Sequence, residues 1–294
     1  MAAFAPLWIV AGLIIGFVTF FTATSLGDKL VELTPAPVHA IVAAPLARVR
    51  PEQVSGDLGL VGEARRVLSL SAGPAAFAIA VPLVGWLLMR RAARSWYTSK
   101  LRFRWRMLAA GLVLFCLATG VAMVLDGLIN GFPKSSPLLR ADESVAARMV
   151  YFLVTLGALT AAAAAEEVVT RGWLMQQTAV FTHNLVLILG VNAFAFMVVH
   201  LDPDPARNAA LFLSGLSLSL IAVRTGGLEF GIGVHAANNL MLAWFSEPFR
   251  VTDLGGRMSA ADLAVQAAVT LSGLALAELT LRWRPLREAA GLSP

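Results

Sequence analysis

Ala161-Ala-Ala-Ala-Ala-Glu-Glu-Val-Val-Thr-Arg171 lies in an apolar run that otherwise reads as a membrane span, with no charged residue from Met149 to Ala165. Two adjacent carboxylates in hydrocarbon cost roughly 2.5–3.5 kcal/mol each on insertion scales, so they should face protein or water. In a helix, Glu167 and Arg171 are four residues apart and share a face, in the favourable acid-before-base order. Glu166 points about 100° away, towards a different neighbour. One glutamate is thus neutralised by its own helix, and the other must be served by the rest of the chain.

Outward from this stretch, the composition is that of a polytopic helical membrane protein. Of 294 residues, 58% are hydrophobic and 14% charged, and the mean hydropathy is +0.74. Such a balance is far from that of a soluble globular domain. Apolar runs recur from end to end, which implies one all-α membrane domain over residues 1–294. The net charge of +5 does not point to nucleic acid, because the basic residues cluster beside hydrophobic segments. The single cysteine, Cys116, lies in an apolar run, where it reads as packing. No Lys or Arg precedes the apolar run Pro6–Phe21, and that run is long for a signal sequence, so it reads as a retained first helix.

A span needs about 20 apolar residues. The expected spans number about eight: Pro6–Thr24, Leu68–Met89, Met107–Ile129, Ala147 through the glutamates to Val180, Asn184–His200, Asn208–Val223, Phe230–Phe245 and Leu263–Leu281. Gly27–Val67 reads as the longest loop, with an apolar middle at Val38–Ala44 suited to a membrane surface. Between the second and third spans, Arg90, Arg91, Arg94, Lys100, Arg102, Arg104 and Arg106 interleave with Trp96, Tyr97, Phe103 and Trp105, with no acid among them. This pattern reads as a cytoplasmic loop touching anionic lipid, its aromatics at headgroup level. Counting spans from it places both termini in the cytoplasm, in keeping with Arg282, Arg284 and Arg287 after the last span.

Few strongly polar residues fall within the later spans. From the turn at Thr182, Glu166 lies roughly 24 Å back along one helix and His200 roughly 27 Å along the next; from Arg224, His235 lies roughly 16 Å in and Asn239 roughly 22 Å. Residues of three helices therefore reach similar depths. Asn192, Phe196 and His200 recur on one helical face, as do His235 and Asn239. Gly231, one turn before His235, suggests room for close helix approach.

Glu166-Glu-Val-Val-Thr-Arg171, Phe196-Met-Val-Val-His200 and His235-Ala-Ala-Asn-Asn239 have the forms Glu-Glu-x-x-x-Arg, Phe-x-x-x-His and His-x-x-x-Asn. In this order on successive hydrophobic segments they resemble the CPBP family of intramembrane proteases. This is the Abi, or CAAX-protease-and-bacteriocin-processing, family, which includes the type II CAAX prenyl endopeptidases. The resemblance covers a catalytic core at residues 147–245. It implies hydrolysis of a peptide bond in a membrane-associated protein or peptide, with Glu166 activating water and His200 and His235 orienting it or binding metal. Asn239 would donate to the oxyanion, while Glu167, Arg171 and Phe196 would support the site.

Two histidines and a carboxylate match the three-ligand plan of catalytic zinc, in which case His200 and His235 are ligands of a metalloprotease. The spacing lacks His-Glu-x-x-His, and a metal-free mechanism keeps Glu166 free as base, so the expectation leans towards no metal. The alternatives are a non-catalytic scaffold subunit retaining the protease fold within a larger membrane complex, or an ion-coupled transporter. Against the transporter, the chain has no second half repeating the first. The alanine-rich style of the chain suggests a bacterial inner-membrane protein, whose partners would be the lipid bilayer and a membrane peptide.

Overall fold

The computed structural model describes residues 59–133, 136–200, 202–246 and 257–292. The expected span Pro6–Thr24 and the surface segment Val38–Ala44 lie outside the described residues. The rest is all-α: α1 Gly59–Met89, α2 Trp105–Asn130, α3 Val145–Glu167, a π-helical stretch Val168–Leu174, α4 Met175–Phe181, α5 Leu185–Val199, α6 Pro205–Thr225, α7 Glu229–Phe245, α8 Ala260–Arg282 and a short α9 Arg284–Ala289. Among the described residues, five helices are long and apolar enough to cross a membrane: α1, α2, α3 continuing into α4, α6 and α8. The chain is an integral membrane protein.

Two expected spans fall short. Apolar α5 has 15 residues and α7 has 17, or about 22 and 26 Å against a hydrocarbon core of about 30 Å. The sequence of α7 shows why it need not satisfy lipid. It packs between α2 and α3, and most of its residues, polar Glu229 and His235 included, are buried by protein. α1, by contrast, begins at Gly59, inside the segment expected as loop. Its extra turns are held outside the apolar run by the Glu63–Arg140 ion pair (2.7 Å) and by the Leu60 N–H donating to the Glu143 carboxylate (2.7 Å).

The basic segment after α1 also departs from expectation, because it folds back onto the helices. Pro82 has no N–H to offer the Ala78 carbonyl one turn earlier. The Tyr97 hydroxyl donates to that carbonyl instead. Trp96 is buried, its ring under the Arg91 guanidinium at 4.4 Å, while Trp105 remains exposed. Arg104 faces protein: its Nε and Nη2 donate to the Glu229 carboxylate at 3.0 and 2.6 Å, and its Nη1 to the Thr225 carbonyl at 2.9 Å. Glu229 is fully buried in the first turn of α7, where the helix dipole also favours negative charge. The same face gathers the α6–α7 turn, through the Ser99 N–H to Gly226 O and the Leu228 N–H to Tyr97 O, and α9, through Arg106 to Glu288 O and Ala289 O. Three segments expected on one side of the membrane thus meet.

Close helix approach occurs at Gly233, not Gly231. A Cβ on Gly233 would run into the Leu108 carbonyl and the Leu112 nitrogen of α2, whereas one on Gly231 would meet only ordinary contacts. The groups in the way at Gly233 are backbone and cannot swing aside. Gly233→Ala should therefore cost about 1–3 kcal/mol, read as a lower melting temperature in detergent. Gly157→Ala, which meets nothing within 4 Å, serves as the matched control. Equal melting of the two variants would show that the α2–α7 crossing is not tight.

α6 and α8 close the remaining side. The Asp204 carboxylate caps α6 by accepting from the Ala206 N–H (3.2 Å) and reaches the α8 entry through the Met258 N–H (2.6 Å). The Met258 N–H, foremost, holds the Asp204 carboxyl below the ordinary aspartate range.

Candidate active site

The site begins where α3 widens into π-helical turns directly after Glu167. Such bulges are rare and frequently mark functional positions. Here the Thr170 hydroxyl donates to the Glu166 main-chain carbonyl at 2.6 Å. Gly172 lets this stretch lie against the Trp96 carbonyl, where a Cβ would clash.

Glu167 and Arg171 form the expected ion pair, 3.0 Å from Nη1 to Oε1, with both side chains fully buried. Burial of two charges is tolerable only when their remaining hydrogen-bonding groups are met. The Arg171 guanidinium also donates to Thr170 Oγ1 (2.8 Å), the Gly215 carbonyl (2.9 Å) and Ser219 Oγ (3.3 Å), and it lies over the Phe196 ring at 4.6 Å. The carboxylate does more than neutralise its helix partner. Glu167 Oε1 also lies 2.9 Å from His235 Nδ1. A carboxylate only accepts, so in neutral His235 the proton sits on Nδ1 and Nε2 carries the lone pair. That Nε2 lies 3.6 Å from Glu166 Oε2, on a side chain that remains one-third exposed.

His200 is the residue that terminates α5. Its Nδ1 lies 2.6 Å from the Phe196 carbonyl, which can only accept, so Nε2 is again the free acceptor. Phe196 is the buried spacer of the site: its ring stands 4.7 Å from His200, 5.8 Å edge-on from His235, and under Arg171. Asn239 is half-buried. Its Oδ1 faces Asn238 Nδ2 at 3.5 Å, and its own Nδ2 has no partner among the described residues.

His200, His235 and Asn239 line one cavity of about 290 Å³, whose wall also includes Asn238, Gln266 and Thr270. Glu166 is not part of that wall, but its Oε2 lies 3.6 Å from Nε2 of His235, which is. The free Nε2 atoms of His200 and His235 are the kind of donor zinc takes, but among the described residues no group of three His, Cys, Asp or Glu side chains is placed to hold a metal ion. Sequence reasoning missed the Glu167–His235 contact and the contribution of Gln266. Asn238 was visible beside Asn239, and a lone Gln in an apolar span was the available signal for Gln266.

Three helices and the π-helical stretch thus carry the site. Residues 148–241 match the family model described as type II CAAX prenyl endopeptidase Rce1-like. The match covers that segment and not the rest of the chain. All seven residues singled out above, from Glu166 to Asn239, lie inside it. The uncharacterized protein YyaK of Bacillus subtilis (strain 168) is similar as well, 26% identical over 180 residues, or 58% of this chain and 58% of that protein. The chain therefore spans less than two thirds of that relative's length. No solved structure matches the chain.

Proposed function

We propose that this Rce1-like membrane protein is a metal-free intramembrane endopeptidase with Glu166 as general base. The observation that carries this reading is His235 held between two glutamates, Nδ1 on Glu167 and Nε2 3.6 Å from Glu166 Oε2. Two acceptors that close call for a donor between them. A water there gives one hydrogen to Glu166 and the other to His235, which leaves its lone pairs free to attack. The water adds to the substrate carbonyl as its proton passes to Glu166. Asn239 Nδ2 donates to the oxyanion that forms. Collapse breaks the C–N bond, and the proton on Glu166 passes to the leaving amine. His200, on the same cavity wall, orients the peptide through Nε2.

The cytoplasmic placement of both termini and the bacterial inner membrane are part of the same proposal, supported by the shared face of the basic loop, the α6–α7 turn and α9. The test is cleavage of membrane peptides by the purified protein in lipid vesicles, with products identified by mass. Site-dependent cleavage that persists in EDTA and phenanthroline is the expected result. Loss of activity to chelators, restored by zinc, would overturn the metal-free mechanism. Absence of cleavage across a broad peptide panel, with the protein intact, would favour a scaffold role.

A further inference from the structure

The catalytic wall of the cavity comes from α5 and α7, but its far wall comes from α6 and α8, and α8 lies beyond the segment that matches the family model. That far wall is built unevenly. Ser214 and Ser217 of α6 are tied to Thr270 of α8, hydroxyl to hydroxyl at 3.2 Å and hydroxyl to carbonyl at 3.2 Å, so their polar groups are already engaged. Gln266, one turn earlier on the same face of α8, is half-buried and has no partner among the described residues. An unserved amide in a membrane-crossing helix is costly unless something hydrogen-bonds it. Its carbonyl and NH₂ offer one kind of acceptor and one kind of donor, the complement of a peptide unit.

The space between the walls has an apolar part, bounded by Phe115, Leu211 and Val234, with Arg207 of α6 also on its lining. A cavity of about 150 Å³ accommodates benzene. The 290 Å³ here therefore takes roughly two ring-sized apolar groups.

We propose that α8 reads the substrate, with Gln266 as a binding and specificity-determining residue. A large apolar side chain next to the scissile bond fills the space beneath Phe115 and Leu211, and the Gln266 amide hydrogen-bonds the main chain beside it. This assignment rests on the hydrolytic reading of the site for its meaning, but its binding half can be measured without cleavage.

The experiment uses the full chain in lipid vesicles and synthetic hydrophobic peptides that differ only in Ala, Leu or Phe next to the cleaved bond. Ala210 lines the cavity from α6, and Ala210→Phe fills part of it. This variant should lower kcat/KM about 10-fold or more for the Leu and Phe peptides, the discrimination set by a methylene or two in a pocket, and leave the Ala peptide near wild type. Gln266→Leu should raise KM about 3- to 10-fold for all three, as loss of one hydrogen bond does, with kcat unchanged. In parallel, a peptide carrying a benzophenone side chain at the varied position is photo-crosslinked to the Glu166→Gln protein, and the label should map to α6 and α8. Label on those helices without cleavage by the wild type supports this inference and overturns the hydrolytic reading. Cleavage with label elsewhere, or Gln266→Leu kinetics equal to wild type, overturns this inference and leaves the hydrolytic reading standing.

Discussion

Glu166→Gln should slow cleavage by about 10²–10⁴-fold, the usual worth of a general base, in a protein that inserts and melts like wild type. The two halves of this expectation have separate physical grounds. Glutamine keeps the shape of glutamate, but its amide oxygen cannot take a proton from water near neutral pH. The Glu166 side chain is one-third exposed and lies 3.6 Å from the His235 ring, while the buried Arg171 guanidinium is paired with Glu167, so neutralising Glu166 strands no buried ion. The backbone bond from Thr170 to the Glu166 carbonyl is untouched. The measurement pairs a cleavage assay in vesicles with detergent melting of the same preparation. Full activity in Glu166→Gln would remove Glu166 from the mechanism. A large fall in melting temperature would show that it is structural.

The sequence carried the Glu167–Arg171 pair because helical spacing alone puts those groups together, and the structure has it with both side chains buried. It carried the level at which His200, His235 and Asn239 meet because rise per residue converts position into depth. Depth is not direction, however, and nothing in the spacing says that His235 turns Nδ1 to Glu167 while Glu166 stays off the cavity wall. That outcome depends on how α7 packs against α3, which spacing within either helix does not report. The choice of Gly233 over Gly231 as the tight crossing has the same origin, since both glycines lie on α7 and only the placement of α2 distinguishes them. The basic loop misled for a different reason. Arg104 and Tyr97 look like surface residues by composition, but the buried Glu229 carboxylate and the Ala78 carbonyl freed by Pro82 needed partners. The short α7 was counted as a span because hydropathy cannot tell burial in lipid from burial in protein.

Glu167→Gln should act on two properties at once, because one carboxylate oxygen serves both Arg171 and His235. Removing its charge leaves the fully buried Arg171 guanidinium uncompensated, a loss of about 3–5 kcal/mol. Thr170, Gly215 and Ser219 still accept from that guanidinium, but they are neutral and cannot balance it. Adding Arg171→Gln removes the stranded charge, so the double variant should recover part of the melting temperature lost by the single one. Activity should not recover with it. A glutamine at position 167 can present its NH₂ to His235 Nδ1, which favours the ring form whose Nε2 carries the proton, and Nε2 can then no longer accept a hydrogen from the water. If Glu167 only braced the helix, activity in the double variant would climb back with stability. If it also orients His235, folded and stable protein will remain slow, with kcat reduced and KM near wild type. Melting curves and single-substrate kinetics for Glu167→Gln, Arg171→Gln and the pair distinguish the two cases. Activity that tracks stability across all three would remove His235 orientation from the role of Glu167.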